Sequence, residues 1–187
     1  MLKRFLFSTA ALVALSALLP AGAGAGAETD RKKAEAAAKE IIEMRSDRAR
    51  AFIEPDTEIT VETFKKVCGA VGKRVKEISR ETGFTIRHAS TKYRNPDHKA
   101  TPNEAVLIKR FSEQKKLASL WDKVKKDGAE YRRYTRPIFV EEACLACHGP
   151  KERRPEFIKK KYPGDRAYGY KAGDLRGINS VMVPTGK

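Results

Sequence analysis

Apolar residues along this 187-residue chain follow several distinct patterns, and each predicts a different element. Phe5 to Leu19 is apolar except at Ser8, Thr9 and Ser16. A Glu/Ala/Lys-rich stretch then predicts a helix from Asp30, an N-cap residue, to Ile53, with Pro55 barring continuation. Its apolar face is sparse: Ile41, Ile42 and Met44. Phe64, Val67, Cys68, Val71, Val75 and Ile78 fall on one stripe and predict a second helix from about Val61 to Thr82. Thr60 is its N-cap and Gly83 its stop. Cys68 therefore faces inward. Gly72 removes bulk from the same face at a cost in helix stability. That points to close approach by another group, either a flat macrocycle or a further helix.

The later chain changes period. Phe84 to His88 alternates and predicts a strand, with Phe84, Ile86 and His88 on one face. Tyr93 to Ala100 is a loop holding Asn95-Pro96. Thr101-Pro102-Asn103-Glu104 is a helix start, with Thr as N-cap, Pro at the first position and Glu closing a capping box. That helix turns Ala105, Ile108 and Phe111 inward. In residues 114–140 the helical spacing of Leu117, Leu120, Trp121 and Val124 competes with the hairpin signal Asp127-Gly128. Tyr131, Tyr134, Ile138, Phe139 and Val140 favour strand, so a hairpin is expected. Pro137 belongs at an edge or strand end. Pro155 to Lys161 is a short helix and Tyr162 to Asp174 an ordered loop rich in Gly and Tyr. Leu175 to Val183 is a last strand, ending at Pro184. Helices come first and strands mostly later, which is an α+β class with an antiparallel sheet.

The first apolar run is expected to be a leader and not part of the fold, with an uncleaved membrane anchor as the alternative. Lys3 and Arg4 precede it, Pro20 ends it, and Ala25-Gly26-Ala27 fits the A-x-A cleavage pattern. Residues 1–27 are thus expected to be a signal peptide cut after Ala27, leaving 28–187 as a single domain. The run is short for a bilayer core of ~30 Å, so no stable membrane span is expected after cleavage. The expected location is periplasmic or otherwise exported, where disulfides are permitted. The chain carries 39 Lys and Arg against 24 Asp and Glu, a net charge of +15. Such a field favours an acidic partner, and export argues against nucleic acid. A solvated basic surface explains the charge equally well, and the propionates of a bound haem would draw on part of it.

Cys144-Leu145-Ala146-Cys147-His148 is C-x-x-C-H, the attachment pattern of a c-type haem. Two thiols must reach two vinyl groups on one porphyrin edge, and the next residue must aim an imidazole at the iron. A thioredoxin-like C-x-x-C would sit near a βαβ pattern, which is missing here. A structural zinc site needs four ligands, and Cys68, His88 and His98 are scattered. A Cys144–Cys147 disulfide would close a very tight loop and leave a haem-free exported binding module. If haem takes Cys144 and Cys147, Cys68 is left over. It is either a buried small hydrophobe or a thiolate ligand opposite His148. Met182, between Val181 and Val183, and His88 compete with it, as does an open position. Met44 lies on the first helix, and His98 sits in a polar loop where solvation is expected.

Four ordered segments resemble a family of exported c-type haem domains with a PAS-like fold, known as a domain of unknown function. They are Val67-Cys68; Ser90-Thr91-Lys92-Tyr93-Arg94-Asn95-Pro96; Arg136-Pro137-Ile138 leading into Cys144 to Gly149; and Tyr162 to Tyr170 continuing through Gly173-Asp174-Leu175-Arg176-Gly177. The resemblance implies a PAS-like antiparallel sheet with flanking N-terminal helices. It implies one covalent haem c per chain, thioether-linked at Cys144 and Cys147, with His148 as one axial ligand and Cys68 as the candidate opposite ligand. His98 and Arg87-His88-Ala89 depart from the family pattern. The function implied is redox or ligand sensing, or single-electron transfer, with an unidentified redox or signalling partner. The alternatives are a peroxidase-like haem enzyme, with His88 or Arg94 as the acid-base group, and the haem-free module.

Overall fold

The computed structural model describes residues 22–54 and 58–185. The N-terminal apolar run, expected to be a leader, and Pro55 lie outside them. Helix α1 (Gly22–Phe52) is followed by α2 (Val61–Phe64), a π-helical segment (Lys65–Gly69) and α3 (Ala70–Thr82). Then come β1 (Thr85–Ala89), α4 (Pro102–Glu113), β2 (Leu120–Lys126) and β3 (Ala129–Phe139). The one-turn helix α5 (Leu145–His148), α6 (Glu156–Lys161) and β4 (Leu175–Pro184) complete the chain. The four strands form one antiparallel sheet in the order β1-β4-β3-β2. The class is α+β, as expected. No helix among the described residues is long and apolar enough to cross a membrane.

Several local signals act as read. The Thr60 hydroxyl accepts from the Thr63 amide, and Gly83, at φ 72°, closes α3 with its N–H on Ser79 O. Thr101 and Glu104 form both halves of the capping box. Asp127 and Gly128, at φ 51° and 80°, make the hairpin turn, because two positive φ values match the twist of the flanking strands. Leu117 to Val124 is therefore no helix: β2 pairs with β3 from Leu120 to Lys126. Pro137 lies beyond the end of β2, where β3 keeps only β4 as a neighbour. Its missing N–H is tolerated at such a local edge.

Two expectations are corrected. Asp30 is not the N-cap of α1, which starts at Gly22. The residues before Asp30 alternate Gly and Ala, and glycine is a poor helix former, so propensity alone does not account for the extension. The packing face takes in Ile41 and Met44, as read, but is built mainly of alanine: Ala34, Ala37 and Ala38 join Ile41 at helical spacing, each at most 4 % exposed. Small side chains let α1 lie close against the sheet, where they join Val71, Ile78, Phe84, Ile86, Tyr134, Val181 and Val183 in the main core. The other sheet face is covered by α4, through Leu107, Ile108 and Phe111 against Ala89 and Ile178. Strand alternation produces this division, since Ile178 and Val181 point to opposite faces of β4.

Candidate functional site

A cavity of about 990 Å³ lies between the helices and the sheet. That is at the upper end of the ~300–1,000 Å³ range of ligand pockets. One wall is helical. Ile41, Arg45 and Ala49 reach it from α1 at four-residue intervals, and Val67, Cys68, Val71, Gly72 and Val75 reach it from the π segment and α3. The π segment contains Cys68. An inserted residue of this kind shifts the side chains of one turn relative to the next, and such segments recur at functional sites. A Cβ built at Gly72 meets no atom within 4 Å. The space beside Gly72, an exposed residue at the cavity's border, is open and holds no neighbouring helix.

The opposite wall is built from loops. β3 leaves the sheet at a register shift after Ile138, and Val140 is clamped by hydrogen bonds to Asp174 and Gly173. A 3₁₀ turn, Glu142–Cys144, and α5 then present Cys144, Cys147 and His148 to the cavity. A side chain at Gly149 would collide with the Leu145 carbonyl, 2.6 Å from the ideal Cβ position. The tight exit from α5 therefore requires glycine. Val140, Ala167 and Tyr170 form a small core of their own, with Cys144 and Leu145 packed against it.

His148 is oriented by this wall. Its Nδ1 lies 2.7 Å from the Ala167 carbonyl. A carbonyl can only accept, so Nδ1 carries the proton and Nε2 keeps its lone pair. The Tyr170 ring meets the imidazole edge-on at 6.2 Å. Ala167 is held in turn, because its N–H donates to Asp165 Oδ1 at 2.8 Å. Asp165 accepts from Arg94 Nε at 3.2 Å and from Arg154 Nη1 at 2.9 Å. Arg94 also donates to the Cys147 carbonyl at 2.6 Å. A buried ion pair thus ties the Tyr162–Asp174 loop to the C-x-x-C-H turn. Second-layer contacts of this type set the tautomer and ring direction of ligating histidines.

Burial, then the charges of Arg176 and Arg94, hold the His148 imidazole well below the ordinary histidine value, so the ring is neutral. Burial pushes the Cys147 thiol up to about 11 and raises that of Cys144. Both are protonated at neutral pH, and all three cysteines are free thiols. Among the described residues there is no group of three or more His, Cys, Asp and Glu that could hold a metal ion.

The sequence-derived candidates separate. Cys68, Cys144, Cys147, His148 and His88 all line the cavity, whereas Met182 and Met44 do not. His98 is exposed but not simply solvated, because its ring lies 5.1 Å from that of His88 and borders the same cavity. Three cavity residues carry polar atoms sealed from solvent without a hydrogen-bond partner: Arg45 Nε, His88 Nδ1 and Asn179 Nδ2. A mostly apolar slot with cysteines at one place and unmet donors at another fits an apolar ligand with polar appendages. Sequence reading missed Arg45, Asp165, Arg176 and Asn179. The available signal for Arg45 was its position one turn after Ile41. Asp165 and Arg176 stood inside the family-like blocks without an assigned role.

A family model described as Tll0287-like matches residues 26–184. Among solved structures, the crystal structure of the cyanobacterial heme-protein Tll0287 is similar at 39% identity with a TM-score of 0.74. The match covers 86% of this chain and 97% of that one. No curated protein matches.

Proposed function

This chain belongs to the Tll0287-like family, and from that premise we propose that it binds haem, as an exported mono-haem c-type protein of PAS-like fold acting in redox or ligand sensing or single-electron transfer. The observation that carries this reading is the convergence of Cys68, Cys144, Cys147 and His148 on one cavity, with His148 Nδ1 committed to Ala167. When bound, haem supplies a one-electron couple and, at any open iron position, a binding place for a small ligand.

The chain's own residues have separate tasks. Cys144 and Cys147 would hold the group, their two S–H groups being the ones available to add across its vinyl groups as thioethers. His148 offers Nε2 to the iron, and its bond to Ala167 keeps that lone pair aimed inward. Cys68 would offer a thiolate from the helical wall, where the buried Val67 and Val71 also line the cavity. His–thiolate ligation favours a low potential, because the thiolate donates charge to the iron. The partner is expected to be acidic, given the net charge of +15.

The primary test is a covalent-haem stain on a denaturing gel, using protein from cells competent in cytochrome c maturation. The stain should follow the wild-type band and vanish in the Cys144→Ser, Cys147→Ser double variant. An unstained wild-type band overturns the reading. Cys68→Ala, followed by optical and EPR spectroscopy, tests the opposite ligand, and an unchanged low-spin ferric signal rules Cys68 out. Carbon monoxide added to the ferrous protein separates roles. Rapid, complete binding favours ligand sensing, and no binding favours electron transfer. Sequencing the exported protein tests the leader, and a first residue other than Glu28 overturns the cleavage site.

A further inference from the structure

We propose that Arg45 and Arg176 form an anion-binding pair that holds the two carboxylates of the porphyrin. This rests on the haem reading above and assigns residues to a part of it that the C-x-x-C-H motif does not address.

Other arginines that border the cavity are accounted for within the protein. Arg87 pairs with Glu104 and Arg94 with Asp165. Arg80 is exposed on α3 and bonds the Lys76 carbonyl. Arg45 and Arg176 differ. Among the described residues, neither has a carboxylate in ion-pair range. Arg176 Nη1 donates to Ser90 Oγ at 2.8 Å and to the Lys92 carbonyl at 3.1 Å. Those acceptors fix the guanidinium without neutralising it. Arg45 Nε is sealed from solvent and has no partner at all. A cation drawn out of water is ordinarily matched by a counter-ion, so the half-buried Arg45, with its sealed Nε, and Arg176 on one cavity leave a place for negative charge from a ligand.

The surroundings narrow its chemistry. Asn179, 1 % exposed, presents an unmet Nδ2 donor to the same cavity. Guanidinium groups are donors only, and their planar fork matches a carboxylate. Arg45 and Arg176 act on each other and on His88, His98 and His148 through their charge, so both guanidinium groups bear on the cavity that these rings line. Val67, Val71, Val75, Ile86 and Ile138 give the same cavity an apolar part. A ligand that satisfies both parts is a large apolar ring carrying two carboxylates.

The test measures binding as well as redox behaviour. The full chain, produced in cells without the maturation system and checked by circular dichroism, is titrated with iron protoporphyrin IX and with its dimethyl ester. The ester should bind at least tenfold more weakly, and the Arg45→Gln, Arg176→Gln double variant should lose this preference. Equal affinity of the wild-type chain for diacid and diester overturns the proposal. In the matured holo-protein the double variant should have a more negative reduction midpoint, because positive charge near the iron favours the added electron. An unchanged midpoint overturns the proposal even where the apo-chain does not fold. Inorganic phosphate tests a free anion as the source of charge. No saturable binding to wild-type holo-protein is expected. Saturable binding that the double variant loses assigns the pair to a free anion and overturns the porphyrin assignment. The covalent stain of the wild-type chain reads the haem assignment separately.

Discussion

The two walls of the cavity are made in opposite ways. The helical wall, from α2 through α3, is locally encoded: a capping threonine, an apolar stripe and a terminal glycine lie within 24 residues, Thr60 to Gly83. The loop wall, from Cys144 to Tyr170, has little periodicity. It is held by contacts between distant positions, among them Arg94 to Asp165, Arg94 to the Cys147 carbonyl and Arg166 to the Tyr93 carbonyl. The chemistry is inverted with respect to this. The wall with the weak local code carries the motif that announces its chemistry, and the wall with the strong local code carries a cysteine that announces nothing. Motifs reveal which groups react. Long-range pairing decides where those groups point.

Perturbations of the two walls should therefore differ in size. The largest effect belongs to the loop wall. Asp165→Asn removes the charge that pairs with Arg94, whose side chain is 8 % exposed. Breaking a buried pair from one side costs about 3–5 kcal/mol, which urea unfolding would measure, and the His148 environment should loosen with it. A loss below ~1 kcal/mol would break the comparison, because the loop would then hold itself. Next is Gly83→Ala on the helical wall. The left-handed conformation at φ 72° costs an L-residue roughly 1–2 kcal/mol. Thermal unfolding should show a correspondingly modest fall in Tm.

Thr60→Ala should cost about 1 kcal/mol, the usual value of a lost N-cap. It should leave the spectrum of the bound cofactor unchanged if α3 is held by packing as well as by its cap. The smallest effect expected is a pH dependence. His88 is kept neutral, first by burial and then by Arg45 and Arg176, and its pKa lies well below 6.5 in the folded protein. The unfolded chain takes up a proton near pH 6.5 that the folded protein refuses, so this residue makes stability decline as pH falls below 6.5. His88→Leu should flatten that part of a Tm-versus-pH curve, and an unaltered slope would show that His88 does not contribute to it.

Much of the fold was legible because its signals are local. The Thr101–Glu104 capping box, the Asp127-Gly128 turn and the Gly83 stop each depend on a few adjacent residues, and each forms where read. The packing face of α1 was read only in part, since alanines carry little hydrophobic signal yet allow the closest approach to a sheet. The π segment around Cys68 left no mark in the periodicity, because one inserted residue shifts a stripe by less than the stripe's own width. The roles of Asp165, Arg45 and Arg176 could not be read locally. Their partners, or the absence of partners, are separated by tens of residues in sequence.

On its own, the sequence determined the order and type of most elements and the antiparallel α+β class, and it singled out the C-x-x-C-H residues as candidates. These follow from neighbouring residues alone: side-chain period, caps, turn conformations and the C-x-x-C-H spacing. Only the tertiary structure decided that Cys68 shares a cavity with Cys144, Cys147 and His148 while Met182 lies elsewhere. It also decided that His148 is aimed through Ala167 and that Arg45 and Arg176 have no counter-ion among the described residues. Such properties depend on which distant segments meet, and burial alone makes an unpaired charge or an unmet donor matter.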